Sequence, residues 1–144
     1  MTSIKDLRVS YESATYVALD RGKEVAVRAN APHPALDKLL EAKGAAEAVF
    51  MTAYNPENAR KGEAENQAAN KRLREILEEE DLDFLPAEHR APKESDWPVE
   101  KSFLILDLPP ADALALAEMF GQYAILWAAY DQPAQLLFSK LAKG

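Results

Sequence analysis

The run Ala48-Val49-Phe50-Met51-Thr52-Ala53-Tyr54-Asn55-Pro56 constrains this chain more than any other stretch. Its first half is almost continuously apolar, the pattern of a central strand covered on both faces, and the expected strand runs from about Ala46 to Thr52. Asn55-Pro56 ends it, because a residue preceding proline is pushed away from helical geometry. After a polar loop, a helix is expected from about Glu63 to Glu80, with Leu73, Ile76 and Leu77 turned inward. At 3.6 residues per turn, Asn66, Asn70, Leu73 and Leu77 share an arc of about 60°. Two amides therefore continue the core-facing stripe toward the helix end nearest Asn55. On a buried face such amides need partners, since each unsatisfied group costs about 1–3 kcal/mol.

The flanking elements follow from the same kind of reading. Met1 to about Ser10 reads as a loose lead-in. Residues 14–19 and 24–28 are β-prone runs separated by Asp20-Arg21-Gly22-Lys23, which suggests an antiparallel hairpin. Pro34 suits a first helical turn, Leu36, Leu39 and Leu40 form one stripe, and Gly44 suits a left-handed cap, so a short helix is expected there. Leu82 to Leu85 suggests a short strand. Pro86 to Pro98, with His89 and Trp97, reads as a proline-rich charged loop. Strands are expected at Glu100–Leu106, Gln122–Ala129 and Gln135–Phe138. The helix opened by Pro109-Pro110 and ended by Gly121 is apolar nearly all round, which predicts deep burial.

The order β-β-α-β-α-β-β-α-β-β predicts an α+β fold. The expected architecture is a single mixed β-sheet with about three packed helices, its parallel pairs supplied by helical crossovers. One domain over residues 12–139 is expected, between a lead-in at 1–11 and a tail at 140–144.

Composition sets limits on function. The net charge is −7, with Lys and Arg scattered rather than gathered into a stripe, so a polyphosphate backbone is repelled on average and nucleic acid is not an expected partner. The absence of cysteine removes disulfides, thiolate metal sites and thiol nucleophiles. The most apolar stretch, 111–130, carries Asp112 and Glu118, which argues against a membrane span. The start lacks an apolar leader region, so a cytoplasmic location is the default.

The strongest polar constellation is Asn55, Asn66, Glu100, Ser102 and Gln122, with Trp97 at its mouth. These residues fall at element ends, which cluster at a sheet rim where ligand sites of helix-covered sheets lie. Read functionally, amides and a carboxylate beside an aromatic ring bind a small polar ligand. Read structurally, the same amides stabilise a turn and tie a helix to it. Glu100 is the one acid/base candidate, should burial raise its pKa. Ser102 has no histidine at a defensible spacing, and the two histidines, His33 and His89, form no metal-ligand pattern. Neither a metal nor a cofactor is expected, and the acid run Glu78 to Asp83 reads as a solvated helix end.

Several short motifs also resemble a known group. These are His33-Pro34-Ala35-Leu36, Thr52-Ala53-Tyr54-Asn55-Pro56, Glu65-Asn66, Asp96-Trp97 with Glu100 and Ser102, and Phe120-Gly121-Gln122 with Ala124. In their order and spacing over roughly residues 12 to 138, they are similar to the uncharacterised bacterial family catalogued as domain of unknown function 3293. The resemblance implies a similar element order and no particular activity. The leading expectation is a non-catalytic binding or regulatory module. It would recognise a small polar ligand or a protein partner at the Asn55–Glu100–Gln122 rim. The alternative is a hydrolase or transferase using Glu100 as acid/base, with Asn and Gln side chains orienting substrate.

Overall fold

The computed structural model describes residues 3–142. Residues 1–2 of the expected lead-in and 143–144 of the expected tail lie outside the described residues. The elements are helix α1 (Ile4–Ser13), strands β1 (Thr15–Asp20) and β2 (Lys23–Val27), and helix α2 (Pro34–Lys43). Strand β3 (Glu47–Thr52), helix α3 (Glu63–Glu79) and strands β4 (Phe84–Arg90) and β5 (Glu100–Leu106) follow. The chain continues with α4 (Pro110–Met119), β6 (Ala124–Ala129) and β7 (Gln135–Phe138). From β1 onward the order is the one expected from sequence, and the fold class is α+β around one sheet.

The sheet itself differs from expectation. Its seven strands lie in the order β2-β1-β4-β5-β3-β6-β7, and every pairing is antiparallel rather than mixed. The physical reason is where the crossovers land. The strands joined by α3, β3 and β4, do run parallel, but β5 is inserted between them. The strands joined by α4, β5 and β6, are likewise parallel with β3 between. A crossover fixes the relative direction of two strands without making them neighbours. The unit β3-α3-β4-β5-α4-β6 is thus a split βαβ arrangement of the ferredoxin-like kind.

The lead-in is also more ordered than expected. Ser3 caps α1 by accepting from Asp6 N–H (3.2 Å), and Leu7 is 1% exposed. Among the described residues there are four α-helices rather than about three.

Two cores lie on opposite faces of the sheet. Val49, Met51, Phe103, Ile105 and Ile125 meet Leu73 and Leu77 of α3 and Ala113 and Ala117 of α4. On the other face Tyr16, Val25, Val27, Phe50, Leu104 and Leu126 meet Leu36, Leu39 and Leu40 of α2. α4 is less buried than its composition suggests: only Ala113 and Ala117 are fully covered, and Met119 is 68% exposed. The sheet curls until the segment after β2 reaches the segment before β7, where Asn30 N–H donates to Ala134 C=O (2.7 Å). No helix among the described residues is long and apolar enough to cross a membrane.

Candidate functional site

The site begins at the end of β3. Asn55, Glu57 and Asn58 all adopt left-handed backbone, with φ of 49°, 56° and 58°. Such a turn is unfavourable for non-glycine residues and persists where its surroundings hold it. The stripe of α3 does so. Asn66 accepts from Asn55 N–H (2.8 Å) and donates through Nδ2 to Asn55 Oδ1 (3.0 Å), while Asn70 accepts from Ala53 N–H (3.3 Å). Asn55 Oδ1 also accepts from Lys61 N–H at 2.8 Å.

The turn is held from the other side by the α4–β6 connection. Glu57 N–H donates to Gly121 C=O (2.7 Å), and Gln122 Nε2 donates to Tyr54 C=O (3.0 Å) and Phe120 C=O (3.3 Å). Gln122 and Asn66 are 8% and 4% exposed; the Gln122 amide serves backbone, and the Asn66 amide serves both the backbone and the side chain of Asn55.

Glu100 opens β5 and lies directly opposite His89 of β4, which in turn lies opposite Tyr16 of β1. The three side chains form a row across the concave face. Glu100 is 9% exposed. Its Oε2 accepts from Asn55 Nδ2 (2.7 Å) and Trp97 Nε1 (3.1 Å), and its Oε1 lies 3.8 Å from His89 Nδ1. Burial raises the pKa of Glu100, and the bonds from Asn55 and Trp97 partly oppose that rise by favouring the charged form. Burial lowers His89 to about 4, so its imidazole is neutral at pH 7. Tyr16 stands edge-on to the His89 ring, with centroids 4.6 Å apart. Burial, then the neighbouring ionisable groups, raises the pKa values of Tyr11 and Tyr16.

Two spaces meet this row. A pocket of about 20 Å³, room for one water-sized group, lies under Asn55, Glu100 and Gln122. A cavity of about 450 Å³ opens above it, bounded by Asp6, Tyr11, Tyr16, His89, Trp97 and Glu100.

Of the six candidates read from sequence, five therefore join one network: Asn55, Asn66, Trp97, Glu100 and Gln122. Only Trp97 and Glu100 line the larger cavity. Ser102 lies one row further along the sheet, opposite Thr52 and Ala87, and its buried hydroxyl has no partner. His89 was assigned to a loop. It belongs to β4, because residues 86–89, expected as part of that loop, are paired on β5, and Arg90 pairs with Thr15 of β1. The proline is tolerated because pairing with β1 stops at Ala87, one residue short of Pro86. The α1 wall was missed as well, although Ser3 ahead of Asp6, with Leu7 and Tyr11 four residues apart, is a readable helix signal.

A family model described as Protein of unknown function (DUF3293) matches residues 51–125, just over half of the chain. The chain belongs to that family. No curated protein and no solved structure matches it significantly. The DUF3293 match runs from within β3 to the start of β6, nearly the whole split βαβ unit. His89, Trp97, Glu100 and the Asn55 turn fall inside it, whereas Asp6, Tyr11 and Tyr16 fall outside. Among the described residues no three His, Asp or Glu side chains gather in a way that would hold a metal.

Proposed function

We propose that this DUF3293 chain is a non-catalytic binding module that takes a small polar ligand into the cavity above Glu100. The observation that carries the reading is a buried carboxylate lining a cavity of about 450 Å³, with one oxygen held by Asn55 and Trp97 and the other bearing no hydrogen bond. A cavity of that volume falls in the range that encloses small organic ligands. In this reading Asn66 and Gln122 position the turn that carries Asn55, and Asn55 in turn orients Glu100. Cytoplasmic placement and weak affinity for nucleic acid belong to the same proposal, the latter supported by the acidic charge balance.

A thermal-shift screen of the full chain against a metabolite library tests it, because a ligand that binds only the folded state raises stability with its concentration. A compound that raises the midpoint of the wild type but not of Glu100→Gln is the expected result. A library without any stabilising compound counts against the reading. The pairing of Glu100 with His89 favours one second reading, acid/base catalysis by Glu100. Turnover of a stabilising compound, abolished in Glu100→Gln, would establish that reading instead.

A further inference from the structure

The walls of the cavity carry a charge pattern that restricts what can enter. Asp6 on α1 and Glu100 on β5 both face it, and among the described residues no Lys or Arg lines it. Arg60 lies over the Trp97 ring, 5.7 Å from its centroid, and is not among the lining residues. An anionic ligand would meet two carboxylates on the described walls and no lining cation, in a molecule whose net charge is already −7.

The hydrogen-bonding capacity points the same way. Glu100 Oε2 accepts both bonds made to this carboxylate, while Oε1 has only His89 Nδ1 at 3.8 Å, too far for a hydrogen bond. Oε1 is therefore the open oxygen of a largely buried carboxylate, and a ligand that brings a charged donor pairs with it by a charge-assisted hydrogen bond. The Tyr16 hydroxyl is already engaged, donating to Tyr11 C=O (2.9 Å). With Trp97 Nε1 held by Glu100, Tyr16 and Trp97 offer mainly ring surface, and Tyr11 adds a third ring, which suits both an apolar body and a cation.

Resting on the ligand-binding reading above, we propose that the cavity selects a small organic amine in its protonated form. Its ammonium group sits against Glu100 Oε1, and its hydrocarbon body lies along Tyr11, Tyr16 and Trp97.

The test compares three probes of similar size: 2-phenylethylamine, the neutral 2-phenylethanol and the anionic 3-phenylpropionate. Each is titrated into the full-length protein at millimolar concentration, and the two tryptophan indole N–H signals are followed by NMR. Trp97 reports on the cavity. Trp127, whose Nε1 donates to Glu47 (2.7 Å) and which packs in the opposite core, is the internal control. The expected result is a saturable shift of Trp97 alone, with the amine at least about tenfold tighter than the alcohol or the acid. In Glu100→Gln the amine should fall to the level of the alcohol. The wild-type comparison stands even if that variant does not fold. Binding of the alcohol or acid as tightly as the amine overturns the charge selection and leaves the ligand-binding reading intact. No shift of Trp97 with any of the three overturns the amine proposal, whereas the ligand-binding reading is overturned by the library screen.

Discussion

Asn55 and Asn66 hold each other reciprocally: the main chain of Asn55 donates to the Asn66 side chain at 2.8 Å, and the Asn66 side chain donates back to Asn55 Oδ1 at 3.0 Å. Both residues are 4% exposed, so water cannot replace either partner. Asn66→Ala leaves the buried Asn55 N–H without an acceptor. The expected loss of stability is about 2 kcal/mol, read from the urea midpoint at constant slope. An unchanged midpoint would remove the claim that the pair holds the turn.

Gly121 lies where a side chain has no room. Its φ is +68°, and an added Cβ would stand 2.8 Å from Pro56 Cβ. Gly44 shares the left-handed backbone, at +69°, with nothing within 4 Å. Gly44→Ala should therefore cost only the backbone penalty, about 1 kcal/mol, and Gly121→Ala about 2–4 kcal/mol. Equal losses in the two variants would mean that the Pro56 contact yields freely.

Glu100 and His89 give opposite pH dependences. The folded pKa of Glu100 is raised, so its contribution is fully present below the ordinary value of 4.5 and is lost as pH rises through the folded value. Glu100→Gln should remove that loss and make stability less sensitive to rising pH above 4.5. For His89 the folded value falls from 6.5 to about 4, so its contribution is present above 6.5 and is lost as pH falls through 4. That is on the order of 3 kcal/mol, and His89→Gln should flatten the decline between pH 6.5 and 4. Chemical denaturation across this range separates the two, and an unaltered profile in either variant contradicts the corresponding assignment.

Residues 86–98 should divide into two classes of amide. Those of Ala87 to Arg90 lie in a strand flanked by β1 and β5 and should exchange slowly, as in β3. Lys93 to Asp96 are exposed, and the one backbone bond there runs from Ser95 N–H to Pro92 C=O (2.9 Å). They should exchange rapidly. Uniform protection across 87–96 would be inconsistent with this boundary.

Local periodicity carried much of the fold. The apolar run of β3, the Pro34–Gly44 helix and the α3 stripe are each written within a dozen or so consecutive residues, where side-chain spacing alone decides which face is buried. The stripe also placed Asn66 beside Asn55, because both lie at the same end of adjoining elements. Other features lay beyond local pattern. Pro86 and the charges around it make β4 look as if it ends at Leu85, since a strand whose pairing with one neighbour begins just after a proline is recognisable only once that neighbour is known. The helix α1 has a local signal in Ser3, Asp6, Leu7 and Tyr11, but that its ring at Tyr11 lies against Phe138 of β7 is settled only by residues distant in sequence.

By itself the sequence determined the order of elements after α1, the α+β class and the amides that secure the turn after β3. The tertiary structure decided which strands became neighbours, and with that which side chains met. His89 and Glu100 face one another because the β4–β5 register puts them opposite, and the Glu100 carboxylate became a cavity wall because α1 folds back beside it. The physical reason is range: spacing along a chain fixes helix and strand faces, whereas register, strand insertion and cavity shape arise from contacts between residues far apart in sequence.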